Sequence, residues 1–161
     1  MGAWLRRRIV DPVLGLLRQG LAPGQLALSL AFGFGVGIFP VLGVSTPLLT
    51  GIALGMRLNL PAIQLVNYLV SPLQLLLIIP FVRVGERLLG VAPQPLTVSA
   101  GLEILAKGVA QAVVILWDAI VHAALGWIVI GPLLIYVLYR AMLPLLERAA
   151  ARMQAPAGGR T

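Results

Sequence analysis

Residues 33–43 read "GFGVGIFPVLG", with Gly33, Gly35, Gly37, Pro40 and Gly43 set inside one of the most apolar stretches of the chain. Glycine and proline both weaken a helix interior, so their concentration here needs a reason. The apolar stretch runs from Leu26 to Met56 and is interrupted by Pro40, Gly43 and Pro47. It is longer than the about 20 residues that one crossing of a bilayer needs and too short for two crossings plus a turn. That arithmetic predicts a re-entrant helical hairpin, with arms at 26–39 and 47–56 and a tip at "PVLGVST", residues 40–46. Irregular backbone at such depth requires cover from protein or from a wet cavity.

Small residues explain part of the pattern. Ala27, Ala31 and Gly35 recur at every fourth position, as do Gly33 and Gly37, and Gly51 and Gly55 repeat the spacing on the returning arm. Helices carrying small residues four apart can pack closely in a membrane. Gly33, Gly37, Gly51 and Gly55 are therefore expected at helix contacts. A dinucleotide-binding loop is a poor match, because the spacing is Gly-x-Gly-x-Gly and no strand pattern precedes it.

The whole composition agrees with a bilayer. Of 161 residues, 60% are hydrophobic and 11% charged, against about 25% charged in an ordinary soluble domain, and the mean hydropathy is +1.00. One membrane domain over residues 22–140 is expected. The chain has no cysteine, which excludes disulfides and thiolate metal sites. Net charge is +7. The arginines flank the apolar blocks, with Arg6, Arg7, Arg8 and Arg18 before them and Arg140, Arg148, Arg152 and Arg160 after. This placement predicts cytoplasmic flanks beside anionic headgroups, both termini cytoplasmic, in a bacterial inner membrane. Nucleic acid is excluded as a partner, since no aromatic residues alternate with the basic ones. Residues 1–20 form an expected interfacial amphipathic helix rather than a signal peptide: Trp4, Leu5, Ile9, Val13, Leu16 and Leu17 share one side and Arg7, Arg8, Asp11 and Arg18 the other.

Residues 59–82 are long enough for one crossing but contain Ser71-Pro72, and proline removes a backbone donor and disfavours helix at the residue before it. A broken transmembrane helix is expected, with Gln64, Asn67, Tyr68, Ser71 and Gln74 around the break. A loop at 90–101, a second interfacial amphipathic helix at 101–117, a further transmembrane helix at 119–139 kinked at Gly131-Pro132, and a disordered tail at 149–161 complete the all-α integral membrane architecture. This topology leaves Arg83 and Arg87 on the far side of the membrane, against the positive-inside tendency.

Thr46-Pro47 and Ser71-Pro72 each combine a hydroxyl residue with a following proline, which is a helix-start pattern. Two helix N-termini would then begin inside the membrane, and an N-terminus carries roughly half a positive charge. If both face one cavity, that cavity attracts an anion, as broken helices do in several transporters. Alternatively, each cap satisfies only its own helix end. Ser45, Thr46, Asn67, Ser71 and Gln74 are the candidate residues for an anionic lipid headgroup, with Arg57 and Asn59 at the interface. Gln64, Asn67 and Gln74 fit interhelical hydrogen bonding equally well, and Arg57 fits a snorkelling role. Asp118 and His122 share a helix face, with Asp118 suited to an N-cap. No nucleophile, base and orienter assemble by spacing, so no enzymatic activity, catalytic residue, metal or cofactor is expected.

The stretch from Ala22 to Ala62 resembles the bacterial membrane family catalogued as domain of unknown function 2062. Gly37, Pro40, Gly43, Thr46, Arg57, Asn59, Pro72 and Gly85 match that family's pattern, whereas Ser45 stands in place of its usual Gln and Ser71 in place of Asn. The resemblance implies an inner-membrane protein with no assigned reaction, in a family some of whose members are joined to glycosyltransferase-like domains. The expected function is binding, and translocation, of an anionic lipid headgroup such as a polyprenyl phosphate or lipid-linked sugar carrier. The alternative is a non-catalytic scaffold or docking partner for an envelope glycosyltransferase, with homo-oligomer contacts through the small-residue faces.

Overall fold

The computed structural model describes residues 11, 15, 21–93, 97–106, 108, 110 and 114–154. Five helices are defined among them: α1 (Pro23–Gly37), α2 (Ser45–Gly55), α3 (Leu60–Leu89), α4 (Val98–Ala106) and α5 (Trp117–Gln154). The interfacial helix expected at 1–20 lies almost wholly outside the described residues. Part of the amphipathic segment at 101–117 lies outside them too, and α4 covers only its first part.

Among the described residues, α3 and α5 are the two helices long and apolar enough to cross a membrane. They run antiparallel. A Cβ added at Gly85 of α3 would overlap the carbonyl of His122 in α5, and one added at Gly126 would overlap the carbonyl of Phe81. At the opposite end of the pair, Ala62 and Leu146 share an apolar cluster with Leu26 and Ala27 of α1. Absence of a side chain at Gly85 and Gly126 thus brings the two backbones into direct contact, the close approach that small residues allow in apolar surroundings.

α1 and α2 form a helical hairpin, with arms starting two or three residues earlier than the sequence places them. α1 lies against both long helices. A Cβ at Gly33 would come 2.7 Å from the Ile63 carbonyl, and one at Gly37 would come 2.7 Å from Val70 Cγ2. α2 packs Leu49 and Ala53 against Val36 of α1 and Ile63 of α3. The hairpin covers the first half of α3, and its tip reaches the helix midpoint, where Gln74 Nε2 donates to the Phe39 carbonyl at 2.7 Å. Trp127 of α5 donates its indole N–H to the Gly35 carbonyl at 2.8 Å, and the Phe39 ring meets the Trp127 ring edge-on at 4.9 Å. The indole bond satisfies a carbonyl in the last turn of α1.

Three expectations are corrected. α3 is one helix of 30 residues, unbroken through Pro72 and Pro80, where the sequence predicted a break at Ser71-Pro72. Pro72 removes one donor, at a cost of about 3 kcal/mol. Packing on both sides of it holds the helix together, with Asn67, Val70, Gln74, Phe81 and Val82 buried, and the Ser71 hydroxyl turns back to donate to the Asn67 carbonyl at 3.1 Å. The last helix likewise passes through Pro132 and Pro144 without interruption. It continues to Gln154, past position 149 where the disordered tail was expected; residues 155–161 lie outside the described ones. Asp118 sits in the first turn of α5 rather than at its cap, a position where an acid still complements the helix dipole.

Candidate functional site

The polar residues of α3 that face the hairpin are Gln64, Asn67, Ser71 and Gln74, spaced three and four apart and therefore on one side of the helix. Gln64 and Asn67 meet the first turns of α2. Asn67 Nδ2 donates to Thr46 Oγ1 and to Gln64 Oε1, both at 3.1 Å. Gln64 Nε2 donates to Thr50 Oγ1 at 3.2 Å and to the Thr46 carbonyl at 3.4 Å. The Thr50 hydroxyl donates to that same carbonyl at 2.8 Å. Asn67 is 2% exposed, and Gln74 and Ser45 are also buried. Together these residues form an uncharged seam between α2 and α3.

The seam differs from the expected pair of helix starts. α2 begins at Ser45, its cap is Val44 in the right-handed helical region, and no side chain caps it. Thr46 lies inside the first turn and spends its oxygens on Asn67, Gln64 and Thr50. Ser71 and Pro72 lie in the middle of α3 and mark no helix start. Tyr68 points outward, 64% exposed. The structure brings Thr46, Gln64 and Asn67 together and seats Gln74 beneath the hairpin tip, and of the two expected helix starts only that of α2 exists.

Arg57 and Asn59 belong to the other end of the hairpin. Asn59 is the N-cap of α3: its Oδ1 accepts from the Ala62 amide at 2.8 Å, and its own amide donates to Ser29 Oγ at 3.0 Å. Ser29 is fully buried in α1 and also donates to the Gln25 carbonyl at 2.7 Å. Arg57 is exposed and left-handed, at φ 53°. The Leu58 amide donates back to the Ala53 carbonyl at 2.9 Å, closing the six-to-one turn that usually places glycine at the left-handed position. α3 ends in the same turn with Gly90, at φ 67°. Arginine in this conformation costs about 1–2 kcal/mol.

Of the four glycines expected at helix contacts, Gly33 and Gly37 lie against α3, whereas Gly51 and Gly55 have nothing within 4 Å of an added Cβ. Their face of α2 turns outward, with Leu48, Leu54 and Met56 exposed beside them.

One buried charge escaped the sequence reading. Glu86 is 1% exposed and pairs with Arg83 at 2.8 Å across one helical turn. The spacing i, i+3 and the adjoining Gly85, where α3 meets α5, were the available signals.

Among the described residues, no group of three or more His, Asp or Glu side chains is placed to hold a metal ion. A family model covering residues 6–154, described as an uncharacterized protein conserved in bacteria (DUF2062), matches the chain, which therefore belongs to that family. No curated protein and no solved structure matches it.

Proposed function

We propose that the chain is a non-catalytic integral protein of the bacterial inner membrane that binds an anionic lipid headgroup, such as that of a polyprenyl phosphate or lipid-linked sugar carrier, at one basic end. α3 and α5 cross the bilayer in this reading. α1 and α2 enter and leave from a single side: helices of 15 and 11 residues rise about 1.5 Å per residue and fall short of the about 30 Å hydrocarbon core. The docking of the tip at Gln74, midway along α3, supports that re-entrant path.

Arg57 carries the headgroup reading. It is exposed, held in a strained conformation at the end of α2, and immediately precedes the N-terminus of α3. Ala62 and Leu146 share a cluster, which puts the exposed Arg148 and Arg152 of α5 at the same end, with Glu147 among them. α1 also starts there, with no side-chain cap on its first turn. The cations make that end positive, since the N-termini of α1 and α3 are offset there by the C-termini of α2 and α5. The opposite end mixes Arg83 and Arg87 with Glu86 and Asp118. The asymmetry supports a cytoplasmic basic end and cytoplasmic termini.

The test is retention of polyprenyl phosphate by the purified full chain, comparing wild type with Arg57→Gln combined with Arg148→Gln and Arg152→Gln. A loss of several-fold supports the reading; equal retention overturns it.

A second reading rests on the outward face of Gly51 and Gly55. Small residues four apart with open space above them suit a scaffold that docks a second copy or an envelope glycosyltransferase through α2. Gly51→Leu would then abolish a stable complex while leaving lipid retention intact.

A further inference from the structure

The seam between α2 and α3 contains one buried acceptor without a donor. Both protons of the Asn67 amide and both of the Gln64 amide are committed, and the Thr50 hydroxyl is committed to the Thr46 carbonyl. Asn67 Oδ1 is left buried with no hydrogen-bond partner. It lies against Gly37 of α1, where an added Cβ would come 3.2 Å from it and 2.7 Å from Val70 Cγ2. A buried carbonyl oxygen is rarely left without a donor, and such a group calls for an explanation.

Charge selects the class of donor. No seam residue is ionisable, and the surplus capacity consists of oxygen lone pairs, which repel an anion. The first turn of α2 contributes the positive end of a helix dipole, which disfavours a cation. What remains is a neutral donor, and one that also accepts at the same atom, an O–H group, uses both Asn67 Oδ1 and the Thr46 hydroxyl. The Thr46 hydroxyl donates in none of the seam's hydrogen bonds, so its proton can return a bond to the oxygen of the incoming group. Gln64 Oε1 keeps a second lone pair nearby.

We propose that Asn67 Oδ1 is the acceptor of a binding site for an uncharged hydroxyl donor, supplied either by water or by a polyol hydroxyl, between α2, α3 and Gly37. The site is separate from the basic end, and its existence does not depend on headgroup binding there.

Asparagine occurs only at 59 and 67, which makes a vibrational test direct. The full chain, labelled with side-chain carbonyl-¹³C asparagine, is reconstituted in phosphatidylcholine bilayers and its infrared spectrum compared with that of the unlabelled chain. Asn59 Oδ1 accepts a backbone bond and marks the bonded frequency; Asn59→Ser, which keeps a capping side chain, isolates the Asn67 band. A bonded Asn67 band in plain buffer that moves to the free frequency on drying identifies water. A band that is free in buffer and becomes bonded on adding glycerol identifies a polyol. A band that stays free under both conditions, or responds only to inorganic phosphate, overturns the proposal. Thr46→Val should weaken the response without abolishing it, since Oδ1 is retained.

Discussion

Asn67 Nδ2 and Thr46 Oγ1 lie 3.1 Å apart across 21 residues of sequence, and this bond ties the middle of α3 to the first turn of α2. In the proposed bilayer setting the hairpin would depend on such links, because burial of apolar side chains gives little advantage over contact with lipid tails. Asn67→Leu removes the link and strands Thr46 Oγ1 and Gln64 Oε1. It should destabilise the protein by about 1–3 kcal/mol, read as a lower melting temperature in detergent. Ser71→Ala, which removes one local helix bond, should change stability by less than half as much.

Backbone contact between Gly85 and His122 predicts a steep response to added volume. Gly85→Ala or Gly126→Ala forces α3 and α5 apart and should cost about 1–3 kcal/mol or more. Gly51→Ala, with open space around it, should be neutral or gain up to about 1 kcal/mol from helix propensity. Unfolding of the three variants under one condition checks the ordering.

Pro72 sits inside a continuous helix, so Pro72→Ala should stabilise the chain by restoring a donor opposite the Tyr68 carbonyl. A gain of about 1–3 kcal/mol is expected. A broken helix that needed its proline would instead lose stability or fold.

Arg57 holds a conformation better suited to glycine. Arg57→Gly should raise stability by about 0.5–1 kcal/mol, the relief of strain being partly offset by backbone entropy. In the headgroup reading, the same variant retains less polyprenyl phosphate. Opposite signs in stability and retention are the signature of a residue kept for binding.

The chain has no cysteine, so single introduced cysteines report topology cleanly. In intact inner-membrane vesicles, Met56→Cys and Arg152→Cys should react with an impermeant thiol reagent from one side and Leu89→Cys from the other. Val44→Cys, at the hairpin tip, should react from neither. Labelling of Val44→Cys from the side that labels Leu89→Cys would mean that the hairpin crosses.

Much of the fold was legible because it depends on sums over neighbouring residues. Apolar length located α3 and α5, and the hairpin arms at 26–39 and 47–56 reappear as α1 and α2 within a few residues. Spacing four apart identified Gly33 and Gly37 as contact positions, but spacing alone does not say which helix fills the gap. The same pattern at Gly51 and Gly55 faces outward. Tertiary structure alone decided the fate of Ser71-Pro72: the local penalty of proline is a few kcal/mol, and contacts with α1 and α5 on both sides of it outweigh that. It also decided the partners of Asn67 and Gln74, which lie on segments 21 and 35 residues away, beyond the reach of any local rule. A polar side chain in an apolar helix announces that it needs a partner; only the packed chain shows which one it finds.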